Sequence, residues 1–529
     1  MDLDYALPYS SQRSPVLARN VVCASQPLAA QAGLRMLLQG GNAVDAAVAA
    51  AIASTVVEPT ANGVGSDAFA IVWDGASLHG LNASGRAPAA WDAARFAGRE
   101  TMPRRGWDSV TVPGAVSSWV ALSRRFGALP FERLFEPAVD YARRGFAVSP
   151  LIAALWQRIA PNYADQPGFA EAFLPGGRAP AAGETFRNAP LAGTLEAIAA
   201  TGGEAFYRGA LAEALVAHAA RHGGAMTRDD LAAHEAHWCG TLSQRIGDVD
   251  VHEIPPNTQG IATLIALGIL ARHDLRRHAV DSIEAMHLQI EAMKLAFADV
   301  EAFVGDPAGM QVDPKSLLAD DYLDARAALI DPARAGDFGA GAPRQGGTVY
   351  LAAADAAGMM VSFIQSNYEG FGSGVVVPGT GISLQNRGMG FSLRPGHPNL
   401  VGSRRLPLHT IIPGFAMRAG QPAMSFGVMG GPMQAQGHLQ LAVRTQLYGQ
   451  NPQAASDAPR WQVVSGRKVL VEAGMPESSV AGLLALGHEV RQESPQAAFA
   501  FGGAQLILRG SDGYVAGSDH RKDGAAVGF

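Results

Sequence analysis

Apolar and polar positions follow two different periods along this chain. From residue 26 to about 300 the spacing is mostly helical. PLAAQAGLRMLLQ, EALVAHAARH, IATLIALGILARH and SIEAMHLQIEAMKLAFADVEAFV place apolar residues three and four apart, punctuated by Gly and Pro. Short strands interrupt them: DAFAIVWDG and DVDVHEI have the β-branched and aromatic content of strands, without a regular βαβ rhythm. AVDAAVAAAIASTVV is apolar almost throughout, yet Asp45 interrupts it and Gly40, Gly41 and Pro59 bound it, which predicts a buried core helix rather than a membrane span.

After Pro332 the pattern changes. ARAGDFGAGAPRQGG has little to pack and reads as an exposed connection. TVYLAAAD, MMVSFIQS, LHTIIPGFAMR and PAMSFGVM then follow at short spacing, which predicts an antiparallel sheet. One helix, MQAQGHLQLAVRTQLYG, follows Gly430 and Gly431, and KVLVE and AQLILRG add strands near the end. Strand-rich layers flanked by helices are an α+β layered architecture. No internal repeat is visible.

Composition narrows the function classes. A chain of 529 residues, 48% hydrophobic and 17% charged, builds a large core, and its net charge of -6 gives no basic footprint for nucleic acid or an anionic membrane. A small-molecule partner is expected. Cys23 and Cys239 are too few and too far apart for a disulfide framework or zinc cluster, and read as buried small hydrophobes. MDLDYALPYSSQRSPVLARN lacks an apolar stretch after a basic start, so a cytoplasmic location is expected.

Two segments carry chemistry. Thr348 stands after Gly346 and Gly347 where the Gly-rich stretch enters a strand. A threonine hydroxyl needs a base within reach. Cleavage before Thr348 would free an α-amine whose ordinary pKa, about 7.7 to 8, leaves it partly neutral near pH 7. Gly347, without Cβ, tolerates the bent backbone needed for the hydroxyl to attack the preceding carbonyl. In GVMGGPMQAQGH, two glycines between a strand and a helix offer convergent N–H groups at the positive end of a helix, which is oxyanion-hole chemistry. Taken singly, each segment is also compatible with an ordinary turn.

GGTVYLAAADAAGMMVSFIQSNYEGFGSGVVVPGTGISLQNRG resembles the nucleophile segment of the γ-glutamyltranspeptidase family. QAGLRMLLQGGNAVDAAVAAA, TVPGAVSSW, IPPNTQGI, HLQIEAMKLAFADVEAFVGDP, RLPLHTIIPGF and AGSDHRKDGAAVGF extend the likeness over nearly the whole chain, in the family's order. The resemblance implies a four-layer αββα sandwich of the N-terminal nucleophile hydrolase type, with no metal and no cofactor. It implies a precursor cut into a large subunit, residues 1–347, and a small one, residues 348–529, which form one folded heterodimer. Pairing of two such heterodimers is left open. The nucleophile falls on Thr348, its supporting hydroxyl on Ser366, and the oxyanion glycines on Gly430 and Gly431.

The likeness breaks in the acyl pocket. The family's arginine for a substrate α-carboxylate is replaced by Ser84, and its acidic residue for the α-amine by Gly390. Tyr368 stands where an asparagine is usual, Arg387 where a glutamine is usual, and His409 and Thr410 at the usual serine pair. Losing both charged anchors would cost about 3 to 6 kcal/mol of recognition. Arg86, two positions from Ser84, projects to the same face of an extended segment, and Arg387 supplies a second cation. The expected substrate is therefore a small amide with a carboxylate and no α-amine, oxamate-like or glutaryl-like. A γ-glutamyl enzyme acting on glutathione and a non-catalytic metabolite binder are the alternatives.

Other motifs point less far. His234 and His237 in HEAHW, at helical spacing, lack further metal ligands, and HDLRRH is similar. EGFGSGV lies between strands, so its glycines belong to the site loop rather than to a dinucleotide fold. Asp306 reads as a turn or cap residue, and Arg404 and Arg405 as carboxylate ligands or surface charges.

Overall fold

Strand alternation sorts the side chains into layers. In Gly347–Ala354, Tyr350, Ala352 and Ala354 enter one apolar cluster while Leu351 and Ala353 enter another. Every residue of this strand is buried, so both of its faces must be covered. The computed structural model, which describes residues 12–339 and 347–529, shows how.

Two seven-stranded antiparallel sheets lie face to face. One runs, edge to edge, Ala525–Gly528, Val21–Ala24, Gly347–Ala354, Met360–Tyr368, Asp67–Trp73, Leu78–Ala83 and His237–Trp238. The other runs Val16–Ala18, Tyr514–Ser518, Gly503–Arg509, Gln421–Met429, Gly414–Arg418, Val249–Glu253 and Leu242–Ile246. Phe69, Tyr350, Ile364, Phe415, Met429 and Ile507 fill the space between them. Helices Pro27–Leu38 and Ala43–Val57 cover the first sheet, and Gly260–Leu270, Ile283–Phe303 and Met433–Ala442 the second. This is the αββα sandwich.

The Ala43–Val57 helix is buried along its whole length. Its alanines let neighbouring backbone approach so closely that a Cβ on Gly33 would lie 2.8 Å from the Ala46 carbonyl. Asn42 and Asp45 start it with a capping box, and the Asp45 carboxylate also accepts from the N–H of Ala128 and Leu129. The charge inside the apolar run is thus a cap. Among the described residues no helix is long and apolar enough to cross a membrane.

Several expectations need correction. LHTIIPGFAMR is a strand only from Gly414 to Arg418. Residues 408–412 instead spend their backbone groups on side chains and loops near Thr348, and Pro413 has no N–H for a ladder. The 433–449 helix stops at Ala442 and continues as a π-turn through Leu447. KVLVE joins a separate three-stranded sheet, Trp461–Ser465, Lys468–Val471 and Glu489–Gln492. His237 lies in a strand and His234 outside any helix, so the helical spacing of HEAHW is not realised. Cys23 is buried as expected, but Cys239 is only partly so. Of the expected exposed connection, residues 340–346 lie outside the described residues, as does part of the N-terminal reading, residues 1–11; of the rest, Ala335 is buried and Gly347 begins a buried strand.

Candidate active site

Thr348 sits at a bulge. Gly347 pairs with Tyr368 and Val349 with Gln365, so Thr348 alone faces both Ser366 and Asn367. The bulge brings two hydroxyls together. Thr348 Oγ1 donates to Ser366 Oγ at 3.1 Å, and Ser366 Oγ donates to the Gly347 carbonyl at 2.7 Å. The Tyr368 N–H donates to the same Ser366 oxygen at 2.7 Å. Ser366 therefore polarises the carbonyl that precedes Thr348 while accepting from its hydroxyl. A Cβ on Gly347 would come within 3.2 Å of the Gly370 nitrogen and 3.3 Å of the Thr60 carbonyl, which favours glycine there.

The second sheet supplies the other wall. Gly430 and Gly431 follow the Gln421–Met429 strand with φ of 123° and 62°, conformations that favour glycine. Gln434, in the helix that follows, donates to Thr348 Oγ1 at 3.3 Å and accepts from the Ile412 N–H at 3.0 Å. Gln259 donates to the Gly431 carbonyl at 2.9 Å and the Thr410 carbonyl at 2.6 Å, fixing the double-glycine turn against the 408–412 segment. These bonds hold the turn beside the Thr348 hydroxyl.

Beyond this neutral cluster lies a charged one. Arg387 is fully buried, its guanidinium 4.0 Å above the Tyr368 ring, and Nη1 donates to Thr410 Oγ1 at 2.9 Å. Nε and Nη2 have no hydrogen-bond partner among the described residues. Tyr368 holds φ at 79°, an uncommon conformation for a side chain of its size. His409 Nε2 lies 2.9 Å from Asp67 Oδ2, both residues fully buried, and His409 Nδ1 has no partner among the described residues. Asp67 Oδ1 accepts from the N–H of Gly85 and Gly114. Burial pushes Asp67 up to about 7, against the pull of Arg387 and those two N–H groups. Burial also lowers Arg387 to about 10, opposed by Tyr368, Asp67 and Glu369, and holds His409 well below its ordinary value, with Arg387 adding to the effect.

Ser84 and Arg86 line a different space, a cavity of about 690 Å³ that also includes His234, Trp238, Asp306 and Arg404. Ser84 bonds Asn82 and Asn257. Arg86 donates to the Arg404 carbonyl at 2.9 Å and faces Asp306 at 3.8 Å, with its side chain 55% exposed. The structure thus gathers Thr348, Ser366, Tyr368, Arg387, His409, Thr410, Gly430 and Gly431; Ser84 adjoins this group through Asn257, whose carbonyl accepts from the His409 N–H, while Arg86 faces the cavity. Asp306 caps a 3-10 turn through the Ala308 N–H and also accepts from the Leu406 N–H. Arg405 donates to the carbonyls of Pro398 and Leu400.

Asp67, Gln259 and Gln434 were missed as site residues. Asp67 left a signal: a carboxylate heading an otherwise apolar strand, in a position where solvation is impossible. One buried trio, His287, Glu291 and His488, has ligand atoms within 4.8 Å of one another. Its carboxylate is already matched by Lys294 Nζ at 2.6 Å and the Gly336 N–H at 2.9 Å. The trio therefore serves to hold residues 331–336, which His287 also bonds through the Asp331 carbonyl.

The description γ-glutamyltranspeptidase belongs to a family model that matches residues 29–529. A glutathione hydrolase-like YwrD proenzyme of Bacillus subtilis is 36% identical over 98% of this chain and 100% of its own length. An oxamate amidohydrolase proenzyme of Klebsiella pneumoniae is 37% identical over 98% and 99%. A crystal structure of cephalosporin acylase from Bacillus halodurans superposes with a TM-score of 0.94 and 45% identity, covering 100% of this chain and 99% of that one.

Proposed function

The chain belongs to the γ-glutamyltranspeptidase family and is a hydrolase acting on C–N bonds; from that premise we propose that it cuts its own Gly347–Thr348 bond and then hydrolyses a small amide carrying a carboxylate but no α-amine. In the first step Thr348 Oγ1 attacks the Gly347 carbonyl, whose oxygen already accepts from Ser366. The amide becomes an ester, water cleaves it, and the Thr348 amine is released. Residues 1–347 and 348–529 remain one heterodimer.

In the second step the freed amine takes the proton of Thr348 Oγ1 as the hydroxyl attacks the substrate carbonyl. Gly430 and Gly431 receive the oxyanion, the leaving amine departs with a proton, and water resolves the acyl ester. An acceptor amine in place of water would make the reaction a transfer. Ser366 orients Thr348. Tyr368, Thr410 and His409 line the acyl pocket around Arg387.

The observation that carries the substrate class is Arg387: a fully buried cation with two unpartnered nitrogens, next to a position, Gly390, that offers no carboxylate for an α-amine. A carboxylate on the substrate supplies what the guanidinium lacks. The oxamate amidohydrolase relative, named for a carboxylate-bearing amide without an α-amine, supports the same class. Two cysteines and no disulfide fit a reducing compartment, the cytoplasm.

Intact mass spectrometry of the wild type beside Thr348→Ala tests maturation. Two fragments meeting at Gly347 and Thr348, with the variant uncut and its activity reduced on the order of 10⁴-fold or more, are expected. A wild-type chain that stays whole yet hydrolyses amides would defeat the proposal. Competition between glutathione and a glutaryl amide then tests the substrate, with the glutaryl compound expected to win.

A further inference from the structure

We infer that Asp67 and His409 form a proton-taking half of the carboxylate subsite: a proton on Asp67 Oδ2 sets His409 in the Nδ1–H tautomer, and a substrate carboxylate is held by that N–H together with Nε and Nη2 of Arg387. The inference rests on the acyl-pocket reading above and goes beyond it by naming the group that makes anion binding pH-dependent.

The geometry confines the proton. Asp67 Oδ1 already accepts two backbone N–H groups, at 3.2 and 3.1 Å, so Oδ2 is the oxygen left to protonate, and it faces His409 Nε2 at 2.9 Å. With Asp67 ionised, Nε2 must carry the proton and Nδ1 is a bare acceptor. With Asp67 protonated, Oδ2–H donates to Nε2, and the imidazole proton resides on Nδ1. One proton on Asp67 thus turns a buried acceptor into a buried donor.

Charge balance points the same way. Arg387 is the cation acting on both Asp67 and His409. With Asp67 ionised the group is neutral, and an incoming carboxylate would place a second anion on one guanidinium. Taking one proton from solvent onto Asp67 restores neutrality and leaves Arg387 to the ligand. The groups facing Asp67 are His409, Arg387, the Tyr207 phenol and the N–H groups of Gly85 and Gly114. Those facing His409 are Asp67, Arg387 and the edge of the Phe69 ring at 4.9 Å; those facing Arg387 are Tyr368, Thr410 and Glu369. Burial brings the free pocket's Asp67 near neutrality, to about 7, so the switch falls in a range that can be assayed.

The test compares glutaryl p-nitroanilide with its methyl ester on the processed enzyme. Both substrates use the Thr348 amine, so the ratio of their kcat/KM values cancels its titration. The ratio should fall about tenfold per pH unit above neutrality in the wild type, as expected when one proton must be bound. Asp67→Asn, whose amide donates to His409 Nε2 at any pH, should flatten it. Calorimetry with glutarate at pH 8, in buffers of different ionisation enthalpy, should show close to one proton taken up per site. A flat wild-type ratio, a variant as steep as the wild type, or no proton uptake would overturn the inference. If Asp67→Asn does not fold, the two wild-type measurements decide. A processed enzyme preferring glutaryl over γ-glutamyl amides with a flat ratio sinks this inference alone; preference for γ-glutamyl amides sinks the reading beneath it as well.

Discussion

Two buried ionic clusters in this molecule use the same residue types to opposite ends. Around Arg460, Asp519, Arg521 and Glu472 the pairing is dense. Arg521 grips Glu472 with two nitrogens at 2.6 and 2.5 Å and Asp519 at 3.0 Å, and reaches the carbonyls of Ser456 and Ala458; Arg460 bonds Asp519 at 2.7 Å. There the cations outweigh burial and hold the Asp519 carboxyl below the usual range. Around Arg387, Asp67 and His409 burial wins instead, and three polar nitrogens have no partner among the described residues. A fully paired cluster has nothing to offer a ligand. An underpaired one still carries its desolvation cost, which is why the proposed acyl subsite is placed there.

The contrast is open to attack at both ends. Arg521→Met should cost the most stability, about 3–5 kcal/mol, because it leaves the buried Glu472 carboxylate without its cation while Asp519 keeps Arg460. Denaturant titration checks this, and a loss below 1 kcal/mol would erase the distinction. Asp67→Asn should act in the opposite direction. Its carboxyl, raised from 3.8 to about 7, keeps a proton that the unfolded chain releases, so its contribution to stability is lost as pH rises from about 4 to about 7. Relative to the wild type, the variant should gain on the order of 2–4 kcal/mol at pH 8 and little at pH 4. Equal gains at both pH values would mean that burial is not what raises this group.

Arg387→Met should leave the melting temperature nearly unchanged, since that guanidinium makes one side-chain hydrogen bond against a large desolvation cost. The effect belongs in catalysis: kcat/KM for a carboxylate amide should fall roughly a hundredfold, about 3 kcal/mol, while the methyl ester of the same substrate changes little. A variant that unfolds, or that loses both substrates equally, would make Arg387 a structural residue like Arg521.

Much of this was legible in the sequence because it is local. The apolar content of TVYLAAAD, the apolar run of AVDAAVAAAIASTVV bounded by glycines and a proline, and the double glycine ahead of MQAQGH each depend on neighbours within a turn or strand. What was not legible is held by long-range contact. Asp67 and His409 are 342 residues apart in sequence, and Gln434 reaches Thr348 across 86. LHTIIPGF reads as a strand from its apolar content, yet its backbone partners turn out to be Gln259, Gln434 and the Asn257 backbone. Side-chain capture of a backbone leaves no periodic trace.

Arg86 supplies the smallest effect and the finest discrimination. Its position two residues from Ser84 suggests that it replaces the missing carboxylate anchor, and both do line one cavity. Its guanidinium, however, is more than half exposed and is engaged by the Arg404 carbonyl and Asp306. An exposed charge of this kind contributes little, about 0–1 kcal/mol, because water screens it and its long side chain must be ordered to act. Arg86→Ala should therefore change kcat/KM for a glutaryl amide by less than about threefold, against the roughly hundredfold loss at Arg387. Steady-state kinetics on the two variants side by side measure the difference. A comparable loss at Arg86 would mean that the 690 Å³ cavity holds the acyl carboxylate and that the buried cluster around Arg387 serves another part of the substrate.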